Sequence, residues 1–293
     1  MKQLCITLLS LLLSAACCSQ PRASYTEEDI RIFRQYLAHM EPYKASPKSE
    51  VMEKTALFFL ARPYVAHTLE ESDEEVLTVN LREFDCVTFM ESVLALSKTL
   101  KEDAPDFAAF MQTLQQIRYR NGKVKDYASR IHYTSDWVYE NERQGLLRNI
   151  SSDLGGILEK KKIDFISTHR EAYRQLKKDD ALWHRIVTME KNLNDRGGFH
   201  YLPKADIASQ AAQIPHMAII AFVTRIEGLD TSHVGFVFHK EDRLTFIHAS
   251  SARKQVVVDE KTLHDYCAGQ KGCVGIIVVC QRSEERRVGK ECR

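Results

Sequence analysis

Little in this chain of 293 residues is present in excess. Lys and Arg total 41 against 40 Asp and Glu, so no net field collects nucleic acid or anionic lipid. No basic patch does so locally, and the Lys160-Lys161-Lys162 run reads as a solvated face. There is no internal repeat and no linker rich in Pro or Ser, which argues against a string of domains. Eleven histidines are present, yet none falls in H-E-x-x-H or a comparable ligand spacing, so a zinc hydrolase has no support and no metal or cofactor is expected. What is present is 28% charged and 44% hydrophobic, which excludes a disordered or collagen-like chain and allows a sizeable core.

The ends read differently from the middle. Residues 1 to 18 carry one Lys, then an apolar run too short to span a bilayer comfortably, then small residues, the layout of a secretory signal. The expected location is therefore exported, in the periplasm. Leu13-Ser14-Ala15-Ala16-Cys17 also resembles a loose bacterial lipobox, so both a lipid anchor at Cys17 or Cys18 and simple cleavage after a small residue fit the same letters. Residues 283 to 293 are mostly charged and without period, and read as a disordered or non-native tail. That leaves 19 to 282 as one domain.

Cysteine is scarce inside that domain. Of eight, Cys5, Cys17 and Cys18 lie in the leader and Cys292 in the tail, and the remaining Cys86, Cys267, Cys273 and Cys280 make no disulfide framework for this size. Cys267 and Cys273 are close enough in sequence to close a small loop, which spacing alone leaves open.

Apolar residues recur at helical spacing from Ile30 to Met40, from Val51 to Phe58, and from Phe89 to Leu100 in a helix that starts at Cys86. Residues 105 to 195 also read as mainly helical. From residue 217 the period changes to short β-branched and aromatic runs, among them H-V-G-F-V-F and L-T-F-I-H-A, which predict an antiparallel sheet. Helices first and strands last is the α+β pattern, with helices expected on one face of the sheet.

A buried cysteine is more often an inert small hydrophobe than a nucleophile. Cys86, however, opens an amphipathic helix, where free backbone N–H groups and the helix dipole predict a lowered thiol pKa and can hold an oxyanion. A thiol nucleophile needs a base and a group to orient that base. A turn at Lys240-Glu241-Asp242 makes a hairpin that places His233 and His248 at one end of the sheet on one face.

At these residues the chain resembles a known family. F-D-C-V-T-F at 84 to 89, S-H-V-G-F-V-F at 232 to 238 and F-I-H-A-S at 246 to 250 are similar, in order, to the three blocks of the NlpC family of papain-like cell-wall hydrolases. The resemblance implies an NlpC-type papain-like core with Cys86 as nucleophile, His233 as base and His248 as the polar third member. R-P-Y-V-A at 62 to 66 resembles the family's tyrosine block, which makes Tyr64 a candidate substrate contact. L-A-R-P-Y-V-A-H-T-L-E, R-I-H-Y-T-S-D-W at 130 to 137 and G-L-D-T-S-H-V-G-F narrow the resemblance to an N-acetylmuramoyl-L-alanine amidase-like subfamily over most of residues 50 to 280.

The implied reaction is hydrolysis of the amide between the lactyl group of muramic acid and L-Ala, on peptidoglycan fragments such as anhydromuramoyl peptides in wall turnover. A stem-peptide endopeptidase cutting after D-Glu and a non-catalytic muropeptide-binding lipoprotein are the alternatives, and a monomer is the expected form. Asp85, Tyr133, Asp136 and Trp137 join Tyr64 as candidate substrate contacts, through hydrogen bonding and stacking. Two departures stand out. Much more chain separates Cys86 from His233 than in a minimal domain, so residues from about 100 to 195 read as a helical insertion. His216-Met217 also stands where the family pattern has Gly-Asp, which is expected to affect a turn rather than the chemistry.

Overall fold

The computed structural model describes residues 23–72 and 74–282. The leader with Cys17 and Cys18 and the tail from 283 lie outside the described residues. Among the described residues no helix is long and apolar enough to cross a membrane.

A short strand β1 (Ala23–Ser24) leads into α1 (Glu27–Met40), which Thr26 caps in a reciprocal box with Asp29. Its buried stripe is Ile32, Phe33, Tyr36 and Met40. α2 (Lys48–Phe58) follows, then β2 (Leu77–Thr78), which pairs in parallel with β1. α3 (Cys86–Leu100) is the central helix: from Thr88 to its end, every residue but Lys98 is buried. A helix covered on nearly all sides must satisfy its polar groups internally, and Glu91 pairs with Arg118 of α4 (Phe107–Arg118) at 2.6 Å.

The middle of the chain is less uniformly helical than its pattern predicts. It contains α5 (Thr134–Arg143), β3 (Leu147–Asn149), β4 (Ile157–Glu159), the single turn α6 (Phe165–Thr168) and α7 (Asp180–Asn194). α4 packs on α3 in the main core, and the two strands join the sheet. The remainder has a small core of its own, with Tyr127, Tyr133, Ile163, Leu176 and Ile186 buried together. β3 and β4 are three residues each, too short to print a period of two.

The last part runs β5 (Phe199–Pro203), the turn α8 (Ile207–Gln210), β6 (Ile219–Thr224), β7 (Thr231–Lys240), β8 (Arg243–Ser250), β9 (Gln255–Val258), α9 (Leu263–Gly269) and β10 (Cys273–Gln281). The sheet order is β4-β5-β10-β6-β7-β8-β9, all antiparallel, with β3 on the far end of β10. The fold is α+β, as expected.

Helices do not keep to one face. Ile219, Ala221 and Val223 of β6 enter the core with α1 to α4, while Ile220 and Phe222 point the other way. There they meet Ile207 of α8 and Leu263 and Cys267 of α9. A strand apolar on both sides needs cover on both. The second cover is stapled: Cys267 and Cys273 form a disulfide that ties α9 to the start of β10.

Candidate active site

Asp85 caps α3 with its carboxylate, accepting the Thr88 N–H at 2.7 Å, while the Asp85 N–H donates to the Thr88 hydroxyl at 2.9 Å. This capping box fixes the first turn and hence the position of Cys86, its first residue. The sulfur lies within reach of the N–H groups of Cys86 itself, Val87 and Val234. Val234 is the neighbour of His233, so the thiol sits against the strand that carries the candidate base.

β7 and β8 close through a tight turn with Lys240 opposite Arg243, as the sequence predicts. Continuing that register toward the open end places His233 and His248 as diagonal neighbours on one face. Their rings meet edge to face, with Nε2 of His233 2.6 Å from Nδ1 of His248. Between them the strands run unusually close. A Cβ at Gly235 would stand 2.8 Å from the Ile247 carbonyl oxygen and 3.1 Å from the His248 Cβ, so glycine is required in H-V-G for want of space. The far nitrogen of His248, Nε2, lies 3.2 Å from Asp259 Oδ2.

Aromatic rings wall this pair. Phe246 lies 4.3 Å from His248 between centroids, and Tyr266 of α9 lies 6.2 Å from His233 and 5.8 Å from His248. Tyr64 stands on the other side, held by a bridge to Phe84 and by its own N–H to the Lys254 carbonyl at 2.9 Å. Burial, then the Cys86 and Asp85 charges, raise its phenol pKa, and Tyr64 and Cys86 both pack against the main core.

The electrostatics reverse one expectation. The Cys86 thiol is pushed up to about 12, because burial, helped by the Asp85 carboxylate, outweighs the backbone N–H groups that favour the thiolate. Position at a helix N-terminus is legible in sequence; the desolvation that overrides it is not. His233 is held down at about 3, first by burial and then by the charge His248 would carry. His248 is held at about 4 by burial. Burial thus favours thiol and neutral imidazole over an ion pair. The described residues hold no cluster of three or more His, Cys, Asp or Glu arranged to take a metal.

With this geometry in view, the relatives are informative. The sequence pattern of the N-acetylmuramoyl-L-alanine amidase-like (AmiA-like) family matches residues 54–276. The chain belongs to this family. Among solved structures, an N-acetylmuramoyl-L-alanine amidase from Bacteroides uniformis is 36% identical, with TM-score 0.75 over 79% of this chain and 99% of that one. Another structure of an amidase so described from the same species is 33% identical, with TM-score 0.72 over 80% of this chain and 99% of that one. A Legionella pneumophila protein at 22% identity, with TM-score 0.65 over 87% of this chain and 95% of that one, shares the fold. No curated protein sequence matches.

In this amidase-like chain the predicted contacts divide. Cys86, His233, His248, Tyr64 and Asp85 come together, Asp85 serving its helix with the carboxylate. Tyr133, Asp136 and Trp137 are buried in the interior. The Tyr133 hydroxyl donates to Glu190 at 2.8 Å and accepts the Ile166 N–H at 2.9 Å. Asp136, fully buried, pairs with Arg120 and with Arg196 at 2.7 Å. Trp137 fills the main core. Their segment reaches the strand of His233 through two hydrogen bonds: the Ser135 N–H donates to the Asp230 carboxylate at 2.6 Å, and the Thr231 hydroxyl donates to that of Thr134 at 2.7 Å. Thr231 lies two residues before His233.

Two residues of the site were not singled out by sequence. Asp259 follows the run V-V-V and is an ordinary turn acid by its context, but the register Ile247 to Val258 sets it diagonally from His248. Tyr266 precedes a cysteine whose disulfide only the structure shows. At the other departure from the family pattern, Met217 takes a φ of +58°, a turn conformation a side chain rarely adopts, and His216 bonds Glu53 at 2.7 Å.

Proposed function

We propose that this protein is a cysteine-dependent N-acetylmuramoyl-L-alanine amidase that hydrolyses the lactyl–L-Ala amide of peptidoglycan fragments, anhydromuramoyl peptides in particular, outside the cytoplasm. Family membership and the relatives named amidases support the reaction class. The observation that carries the residue roles is the sulfur of Cys86 at the N-terminus of α3, against the N–H of Val234, next to a histidine pair joined at 2.6 Å.

With burial favouring the neutral thiol and imidazole, His233 takes the thiol proton as Cys86 Sγ attacks the lactyl carbonyl carbon. The carbonyl oxygen becomes an oxyanion beside the first N–H groups of α3, which donate to it. Collapse breaks the C–N bond, and the proton on His233 goes to the leaving L-Ala nitrogen. A thioester remains. Water then attacks it with His233 again accepting a proton, the muramoyl acid departs and the thiol is restored. His248 accepts from or donates to the far nitrogen of His233 throughout and holds its ring in place.

Mass spectrometry of products from an anhydromuramoyl-tripeptide tests this. Free anhydromuramic acid and intact tripeptide are expected, reduced by about 10³-fold or more in Cys86→Ala. Cleavage inside the stem would make the protein an endopeptidase instead. Hydrolysis at the wild-type rate in Cys86→Ala would overturn the assignment of the nucleophile.

A further inference from the structure

The histidine pair has a direction problem that its own two rings do not solve. Each neutral imidazole carries one N–H, and a base for Cys86 must have its proton on Nε2 and a bare lone pair on Nδ1. The 2.6 Å contact between His233 Nε2 and His248 Nδ1 is compatible with either nitrogen donating. If His248 donates, His233 Nε2 is the bare nitrogen, Nδ1 carries the proton, and the base is disarmed.

Asp259 decides between the two. Its carboxylate accepts, so His248 Nε2 at 3.2 Å must be the protonated nitrogen of that ring. His248 Nδ1 is then bare and accepts from His233 Nε2–H, which leaves His233 Nδ1 without a proton. The carboxylate is itself braced: its other oxygen accepts the Lys261 N–H at 2.8 Å, and its backbone N–H donates to the Phe246 carbonyl at 2.9 Å. Thr245 holds the Asp259 carbonyl from β8 at 2.7 Å. The ionisable groups around His248 are His233 on β7, Asp259 after β9 and Tyr266 on α9, and Asp259 is the one with a direct bond to Nε2.

We infer that Asp259 is a positioning residue that sets the tautomers of both histidines and so fixes Nδ1 of His233 as the nitrogen that receives the Cys86 proton. The inference rests on the nucleophile and base roles proposed above. It extends the arrangement to four members in series, Cys86, His233, His248 and Asp259, of which the last never touches substrate.

The test begins with two-bond ¹⁵N–¹H correlation spectra of the full chain, labelled at histidine, near pH 7. Both His233 and His248 are expected as Nε2–H tautomers, and an Nδ1–H form of either overturns the inference. In Asp259→Asn the amide can donate as well as accept, so the two rings should show mixed tautomers. The kcat is then expected to fall about 10²-fold with KM within threefold, and Asp259→Glu should recover part of it. A kcat within twofold of wild type in Asp259→Asn overturns the role. In a His248→Ala background, adding Asp259→Asn should change kcat less than twofold, because Asp259 acts through His248. A multiplicative loss there would mean that it acts by another route. The wild-type spectra decide even if a variant fails to fold. They also need no substrate: absence of amidase activity with the expected tautomers would sink the proposed reaction and leave the positioning role standing.

Discussion

F-D-C-V-T-F at 84–89 and R-I-H-Y-T-S-D-W at 130–137 are both short, polar and aromatic, and each leads into the first turn of a helix. They use those residues in opposite ways. In the second, Arg130 pairs with Glu70 and Glu75, the His132 ring meets the Tyr127 carbonyl at 2.7 Å, Tyr133 holds Glu190, and Asp136 faces two arginines. The charged side chains there, with His132 and Tyr133, have internal partners, while the Ser135 hydroxyl and the Trp137 indole N–H are buried without a hydrogen bond, and the segment holds the strand before His233 in place. In the first, the cap is satisfied, but the thiol beside it is desolvated and lacks a neutralising partner. A polar residue whose valences are filled by its own chain maintains a shape. One set beside backbone donors and the strand of a histidine pair is placed for chemistry.

That contrast can be broken most severely at Asp136. Removing the buried carboxylate that faces Arg120 and Arg196 leaves the two guanidinium groups sharing Glu140 alone, 3.4 Å from each, so Asp136→Ala should cost about 3 kcal/mol in urea denaturation. Cys86→Ala, in the other block, should leave the midpoint nearly unchanged while abolishing turnover. Equal stability losses in the two would erase the distinction.

Acid sharpens it with a smaller effect. His233 binds its proton only near pH 3 in the folded protein, against an ordinary value of 6.5, so between those limits the unfolded chain holds more protons. Its contribution to stability is fully present above pH 6.5 and is lost as the pH falls toward 3. Glu75, Glu91 and Asp230, raised by burial, act with the opposite sign, so the quantity to compare is the difference between wild type and His233→Asn. The variant's stability should fall less from pH 7 to pH 4, and parallel curves would count against a buried neutral imidazole.

The smallest effect is expected at Tyr133. Tyr133→Phe removes one hydroxyl from a satisfied network and should cost about 1 kcal/mol, with kcat/KM of the folded protein within twofold. A tenfold loss of kcat/KM at unchanged stability would return Tyr133 to the substrate site.

The parts of this fold that show in sequence are those with strong local period. The helix beginning at Cys86, the hairpin turning at 240–242 and the runs of β6 and β10 are each announced by spacing. The capped cysteine and both histidines are legible because each sits in a short block tied to one element. Asp259 is not, since its meaning comes from a strand register eleven residues long in sequence and one diagonal wide in space. Tyr133, Asp136 and Trp137 can be read two ways from sequence for a complementary reason. Stacking and hydrogen-bonding side chains are what a sugar site uses, and also what a buried staple uses, and only burial separates the two. The direction of the Cys86 pKa escapes sequence because desolvation depends on atoms contributed by β7 and the tyrosine walls.

The missing side chain at Gly235 has a mechanical consequence. With 2.8 Å from the virtual Cβ to the Ile247 oxygen, the thickness of one strand at this point acts as a gauge for the other. A methyl group inserted there would work as a wedge between β7 and β8, prising the two imidazoles apart without altering any atom of either, so their contact is calibrated by an absence of matter.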